Sequence, residues 1–271
     1  MQKFHVNSSG AVNPCHARKV ACRLPQATEA QVRNALARRK QNNEKVGISA
    51  EVAVCDIFDI ELDPAFRRRS EPRLVSAMRD SLVQHMKGNK FPSITDYVGE
   101  NGSPYDFLAG SETVSLKTNT GSNNKVCPQV VGQTTTKRHI SFFSEIYNSG
   151  IAELPRDKQV VEIKKTILSN PVQFVEKYWE NLFNCDYLIS ISGVMRDTNN
   201  LGGDVDVLSR EQIPVMDNSL FHFTKNRDNW NESTTLKYDG MSLGEFQIHN
   251  GRDGVKFRFN IKALKDIIRK Q

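Results

Sequence analysis

The sequence predicts an α/β fold in which helices flank a mixed central β-sheet, and three observations support this class. Helical and strand patterns alternate along the chain instead of forming separate blocks. The segment CDYLISISG, residues 185–193, is almost entirely apolar, which is typical of a buried central strand. Two strand patterns near the C-terminus are joined by Asn250-Gly251 and Asp253-Gly254, which predict an antiparallel hairpin.

The composition is that of a folded protein. Apolar residues make up 38% of the 271 residues and charged residues 25%, as in ordinary globular domains. The apolar runs are much shorter than the roughly 20 residues that a membrane-spanning helix needs, and the N-terminus has no apolar signal segment. Five scattered cysteines argue against a disulfide framework. We therefore expect a cytoplasmic protein with no membrane partner.

The charge balance gives a weak indication of a partner. The net charge is +6 and the isoelectric point is about 9.0. A basic surface favours nucleic acid, although many basic proteins bind none.

Helical patterns account for much of the chain. Apolar spacing predicts helices over 28–41, 46–60 and 73–86. Pro128 stands at a plausible first-turn position of a further helix over 126–147. Residues 156–183 predict one or two amphipathic helices interrupted at Asn170-Pro171, and residues 261–270 predict a closing helix.

Strand patterns occupy the remaining segments. Residues 105–109 and 112–119 predict a hairpin with its turn at Gly110-Ser111. Residues 219–225, 243–249 and 255–261 predict further strands.

Residues 1–40 predict an irregular N-terminal arm and a basic helix. Cys15 and Cys22 lie near His5 and His16, but a Cys-x6-Cys spacing matches none of the usual zinc motifs. The spacing favours two ordinary cysteines and leaves zinc as an alternative.

The predicted hairpin brings together side chains that could take part in catalysis or bind a metal ion. Side chains alternate between the two faces of a strand, so Thr113, Ser115 and Lys117 share one face, which Asp106 on the neighbouring strand can reach. Burying the charge of a lysine costs free energy unless the charge is paired with an opposite charge or serves a function. The carboxylate of Asp106 supplies a partner for it and an oxygen ligand for a hard cation.

Three local patterns resemble the PD-(D/E)XK nuclease family and the restriction endonucleases within it. The first is PYDFLAGSETVSLKTN, with Asp106 at a strand start and Lys117 on the next strand. The second is KVGISAEVAVCDIF, which carries Glu51 on an early helix. The third is KVCPQVVGQ, with Gln129 and Gln133 after the lysine strand. The resemblance covers about residues 45–193.

The resemblance implies a division of roles. Asp106, Glu51 and the backbone carbonyl of Leu116 would hold Mg²⁺, and Lys117 would position or deprotonate the attacking water. The sequence departs from the family pattern at Ser115, where an acidic residue is expected two positions before the lysine. Ser115 and Gln133 are therefore included among the candidate catalytic residues, with Glu51 as the second carboxylate. The number of metal ions stays open.

Other sites stay open as alternatives. Asp157 precedes Glu162-x-Lys164, which matches the motif literally, but its apolar spacing is helical. Asp239 precedes Glu245-x-Gln247, which is strand-like. An ordinary cross-strand salt bridge is the simplest reading of Asp106 and Lys117.

The residues predicted to contact DNA fall into two groups. Next to the proposed metal site, backbone phosphates would meet Asn119, Asn123 and Lys125. Base edges would meet two polar loops that carry Arg227, Asn229, Asn231, His249, Asn250 and Arg252.

The resemblance implies a bacterial or phage type II restriction-like enzyme that cuts double-stranded DNA at a specific sequence with Mg²⁺ and without a nucleotide cofactor. A single nuclease domain would span 41–271, with a core at about 45–193 and a β-rich, DNA-reading extension at about 194–271. Cutting both strands favours a homodimer. The competing readings are a DNA-binding protein without catalysis and a repair or transposition nuclease of the same fold.

Overall fold

The computed structural model describes residues 43–99, 103–120, 125–194, 203–212, 215–226, 228–249, 251 and 253–270. The predicted N-terminal arm, its basic helix and the pair Cys15 and Cys22 lie outside the described residues.

Helices and strands alternate along the described chain. The helices are α1 (Asn43–Ile57), α2 (Pro64–Arg67), α3 (Pro72–Met86), α4 (Thr136–Phe142), α5 (Arg156–Ser169), α6 (Pro171–Leu182) and α7 (Ile261–Lys270). The strands are β1 (Asp96–Tyr97), β2 (Phe107–Ala109), β3 (Glu112–Asn119), β4 (Lys125–Val126), β5 (Gln133–Thr134), β6 (Tyr187–Ser192), β7 (Asp204–Ser209), β8 (Phe221–Phe223), β9 (Ser233–Tyr238), β10 (Met241–Ile248) and β11 (Val255–Asn260).

Proline begins several of these helices. Pro64, Pro72 and Pro171 occupy the first turns of α2, α3 and α6, where the missing backbone N–H is not needed and the fixed φ suits a helix. Asp63 also caps α2, because its carboxylate accepts hydrogen bonds from the backbone of Ala65 and Phe66.

The first sheet is mixed and has the strand order β1-β2-β3-β6-β7. The hairpin of β2 and β3 is antiparallel, β3 and β6 run parallel, and β7 is antiparallel to β6. The predicted mixed sheet flanked by helices is confirmed. Strand β7 belongs to this sheet although it follows residue 193. The proposed domain boundaries stay predictions.

Helices α1 and α3 cover one face of the first sheet. Val114 and Leu116 of β3 and Ile189 and Ile191 of β6 are buried against apolar residues of α1 and α3 such as Val52, Leu74, Met78 and Leu82. Each fully buried side chain of this size contributes about 1.5–3 kcal/mol. This packing fixes the register of β3, so the odd-numbered residues of that strand point to the opposite face.

The second sheet is antiparallel and has the order β4-β11-β10-β9-β8, with β5 also pairing with β11. Its strands alternate buried apolar residues with half-buried or exposed polar ones. The inner face packs on helices through an aromatic cluster that includes Phe143, Phe174, Tyr178, Phe246 and Phe257. The outer face therefore carries the polar side chains.

One sequence expectation needs correction. The predicted helix over 126–147 is wrong in its first half, where the chain forms β4, a turn and β5 before α4 begins at Thr136. The turn closes through a 3.0 Å hydrogen bond from the Gly132 N–H to the Pro128 carbonyl. Both short strands pair with β11, far away in the sequence. Strands β1, β7 and β9 have no counterpart among the strands that the sequence predicts.

Among the described residues, the remaining helix and strand predictions are confirmed to within a few residues. Helices α5 and α6 are separated at Asn170, as the Asn170-Pro171 interruption predicts. In the part of the chain that the structure describes, no helix is both long and apolar enough to cross a membrane.

Candidate active site

Asp106 is fixed at the start of the β2–β3 hairpin. Its backbone exchanges hydrogen bonds of 2.9 Å with Val98 and Val114. Its carboxylate oxygen Oδ2 accepts hydrogen bonds from the backbone N–H of Leu116 at 2.6 Å and from the hydroxyl of Ser115 at 3.1 Å. The side chain is therefore held in one orientation over β3.

Lys117 lies on the same side of the hairpin as Asp106. Its Nζ is 3.7 Å from Asp106 Oδ2, and the two side chains are only 19% and 15% exposed. The alternation of faces along β3 predicts this pairing, and the structure brings Asp106, Ser115 and Lys117 together as expected. Such low exposure makes the pair unlike a solvated surface ion pair.

Gln129 is a contact of Lys117 that the sequence reasoning did not choose. With its amide oriented so that both atoms have complementary partners, Gln129 Oε1 accepts a 2.8 Å hydrogen bond from Lys117 Nζ, and its Nε2 donates a 3.0 Å hydrogen bond to the Pro104 carbonyl. Gln129 therefore connects the lysine to the segment just before Asp106. Gln133 lies instead on β5, exposed and opposite Lys256.

Glu51 approaches the same site from α1. Its Oε2 accepts a 2.7 Å hydrogen bond from the hydroxyl of Tyr97 on β1. Burial raises the pKa of Glu51; the Tyr97 hydrogen bond opposes the rise, the Asp106 charge adds to it, and the Lys117 charge opposes it. The charges of Asp106 and Lys117 therefore both act on the pKa of Glu51.

The oxygen donors suit a hard divalent cation. Within the described residues, the contacts of the Asp106 carboxylate all involve Oδ2, so Oδ1 is available as a ligand. No group of three His, Cys, Asp or Glu side chains is arranged around one point in the described chain. Two carboxylates are sufficient for Mg²⁺, which usually keeps several waters and takes its other ligands from substrate phosphates. The residues present fit that ion.

A basic groove begins at Lys117 and runs toward the second sheet. The groove has a volume of about 320 Å³ and is lined by polar residues that include Lys117, Asn119, Lys125, Gln133, Lys256 and Arg258. Glu245 of β10 binds two of them, with Oε2 lying 2.8 Å from Lys125 Nζ and 2.7 Å from Arg258. Burial works to raise the pKa of Glu245, but its hydrogen bond to Lys125 and the two positive charges lower it overall.

The chain is similar to a type II restriction enzyme. It is 30% identical over 220 residues to Type II restriction enzyme CviAII of Paramecium bursaria Chlorella virus 1. The matched region is 80% of this chain and 58% of the viral enzyme, so the chain spans less than two thirds of that relative's length. No family model matches the chain, and no solved structure matches it significantly.

The predicted DNA contacts are only partly described. Asn119 donates a 2.9 Å hydrogen bond to the Lys125 carbonyl, so both lie at the groove. Asn229 and Asn231 are exposed, and His249 lies 3.6 Å from Glu232. The loops that carry Asn229, Asn231 and His249 therefore lie next to each other, because the Ile248 N–H also donates a hydrogen bond to the Glu232 carbonyl. Asn123, Arg227, Asn250 and Arg252 lie outside the described residues.

The alternative motifs do not form comparable sites. Glu162 and Lys164 lie on helix α5, and Lys164 binds the backbone carbonyls of Trp230 and Asn231. The carboxylate of Glu245 already forms ion pairs with Lys125 and Arg258. Asp239 lies in the turn between β9 and β10 and pairs with Lys270.

Proposed function

We propose that the protein is a type II restriction-like endonuclease with a site of the PD-(D/E)XK kind, which hydrolyses phosphodiester bonds of double-stranded DNA at a specific sequence with Mg²⁺. The observation that carries the proposal is the half-buried pair of Asp106 and Lys117, 3.7 Å apart, with Glu51 close by. The similarity to a viral type II restriction enzyme supports it independently.

Asp106 and Glu51 would hold the ion, and the Leu116 carbonyl is a candidate third ligand. When bound, Mg²⁺ supplies a Lewis acid that polarises the scissile phosphate and assists the leaving oxygen. Ser115 and the Leu116 N–H hold Asp106 Oδ2 in place, so the carboxylate needs no reorganisation when the ion and the substrate arrive.

Lys117 would orient the attacking water and offset negative charge that develops on the phosphate. An ammonium group with low exposure is effective in this role because few water molecules screen it. Gln129 accepts a hydrogen bond from the ammonium group, and its own amide nitrogen is fixed by the Pro104 carbonyl. Two neighbours therefore define where the lysine points.

Double-stranded DNA is the proposed partner, and a homodimer is the proposed assembly. A twofold pair of sites matches the antiparallel symmetry of a duplex that is cut on both strands. Sedimentation with and without a DNA duplex would measure this assembly directly.

Incubating the purified protein with plasmid DNA and Mg²⁺ tests the function. We expect discrete fragments that are absent in EDTA and absent with the Asp106→Asn variant. A shifted but uncut plasmid would instead identify a DNA-binding protein without catalysis. Diffuse, sequence-independent cutting would indicate a repair or transposition nuclease.

A further inference from the structure

We propose that the outer face of the second sheet is the surface that holds the phosphate backbone of the DNA duplex. This inference deepens the proposed function and rests on it. The face is defined by the outward residues of β4, β5, β11, β10, β9 and β8, which include Lys125, Gln133, Lys256, Arg258, Glu245 and Lys237.

Strand alternation creates this face. On β11, Val255, Phe257 and Phe259 are buried in the apolar core, whereas Lys256 and Arg258 between them are half-buried. Cross-strand pairing places Arg258 opposite Glu245 and Lys256 opposite both Gln247 and Gln133. The polar residues therefore form adjacent rows on one surface.

The charge of the face suits a polyanion. Besides His222 of β8, its ionisable groups are four cations, Lys125, Lys237, Lys256 and Arg258, and one carboxylate, Glu245, so the four cations exceed the carboxylate by three. Within the described residues, Lys256 makes no ion pair, so its ammonium group is available to a ligand. Lys256 and Arg258 are two residues apart on one strand face, roughly 7 Å, close to the separation of neighbouring phosphates along a DNA strand.

Glu245 also orders two of the cations. It bridges Lys125 on β4 and Arg258 on β11, and Gln247 donates a further hydrogen bond to it at 3.3 Å. Two flexible cationic side chains held by one carboxylate lose less conformational freedom when a phosphate binds between or above them. Lys125 is thereby fixed at the point where the face meets the groove.

The face is continuous with the candidate active site. The groove that contains Lys117 is also lined by Lys125, Gln133, Lys256 and Arg258. A backbone that follows these cations therefore leads to the ammonium group of Lys117. DNA bound on the face would therefore need no second route over the described surface to reach the candidate active site.

The chemistry of the face favours a duplex over a single strand. Proteins that bind single-stranded nucleic acid usually stack bases on exposed aromatic rings. Within the part of the second sheet that the structure describes, the outward residues include no phenylalanine, tyrosine or tryptophan, because rings such as Tyr238, Phe246 and Phe257 point into the core. Ammonium and guanidinium groups without stacking rings are suited to the phosphates of a rigid duplex.

Binding of a labelled random-sequence duplex in EDTA tests the proposal. Lys256→Gln and Lys237→Gln should each weaken binding several-fold and lower the slope of log affinity against log salt by about one. Lys158→Gln is the matched control, since Lys158 is an exposed lysine of α5 and should change neither quantity. A labelled single strand of the same sequence should bind more weakly than the duplex.

The outcomes separate this proposal from the function itself. If the wild-type protein cuts plasmid DNA but Lys256→Gln and Lys237→Gln bind the duplex like Lys158→Gln, the sheet face is not the DNA surface and the nuclease function stands. Tighter binding of the single strand would also overturn the proposal. If the wild-type protein neither binds nor cuts DNA, the proposed function fails and the inference fails with it.

Discussion

The hydroxyl of Tyr97 donates a 2.7 Å hydrogen bond to Glu51 Oε2 and so ties β1 to α1 beside the candidate metal site. Burial and this hydrogen bond raise the pKa of Tyr97 well above its ordinary value, so the hydroxyl keeps its proton and remains a donor. The contact fixes the direction in which the Glu51 carboxylate points.

Tyr97→Phe should weaken divalent-ion binding roughly 10-fold or more, because partners that orient a ligand typically contribute that much. Titration calorimetry with Mn²⁺ and without DNA measures the effect. Tyr187→Phe is the control, because Tyr187 also donates to a glutamate, Glu112, but at an exposed site. Equal Mn²⁺ affinity in the two variants would show that Tyr97 does not orient a ligand.

Lys117→Ala should reduce the cleavage rate by at least about 100-fold, because it removes a preorganised positive group next to the reacting phosphate. DNA affinity in EDTA should change little, since Lys117 is one cation among several along the groove. Plasmid cleavage and fluorescence anisotropy measure the two quantities. Cleavage at the wild-type rate would exclude Lys117 and the site built on it.

Gln129→Leu should lower kcat roughly 10- to 100-fold, which corresponds to the loss of a charge-assisted hydrogen bond. KM for DNA should stay close to the wild-type value, since Gln129 acts by positioning Lys117. Gln129→Glu keeps an acceptor for the ammonium group and should recover part of the rate. Val130→Ala changes an exposed neighbour in the same turn and serves as the control; a parallel change in kcat there would indicate a merely structural effect.

Acid should destabilise the protein through His139. Burial lowers the pKa of His139 from 6.5 to about 3, and neither ring nitrogen has a hydrogen-bond partner among the described residues. Its neighbours Phe143, Phe174, Tyr147 and Tyr178 carry no charge in acid. Below pH 6.5 the unfolded chain gains a proton that the folded protein does not, so stability falls by up to roughly 1.4 kcal/mol per pH unit toward pH 3.

His139→Phe should therefore flatten the acid branch of the stability curve. Urea unfolding between pH 4 and pH 7 measures it, because this range covers most of the interval between a pKa of about 3 in the folded protein and 6.5 in the unfolded chain. His222→Gln replaces an exposed histidine and should leave the curve unchanged. An equally steep acid branch in His139→Phe would assign the effect to other groups.

The core of the candidate site could be predicted because its signals are local. Asp106, Ser115 and Lys117 lie on one hairpin, whose turn residues and alternating pattern specify both partners within a few residues. Gln129 could not be chosen in the same way. Pro128 is compatible with the start of a helix or with a turn. The turn forms because β4 and β5 pair with the distant strand β11. Tertiary contacts of that kind override local propensity.

The second sheet also contains a strand that the local sequence does not predict. Strands β10 and β11 were predicted from clear alternation and a turn-rich connection, whereas β9 was not. Its alternating pattern, STTLKY, is interpretable only beside β10, with which it pairs over most of its length. Lys256 and Arg258 are visible in the sequence, but their place next to Lys117 depends on how the two sheets meet.

The parallel pairing of β3 and β6 has a consequence for the folding of the chain during its synthesis. Thr113 at the start of β3 is held by Asp186, 73 residues later, through the backbone and side-chain hydroxyl. The strand that carries Lys117 therefore gains its second neighbour only after α4, α5 and α6 have left the ribosome. Contacts between such distant segments form slowly during folding. Under the proposed nuclease function, a partly synthesised polypeptide should thus be unable to cut the DNA of the cell that makes it.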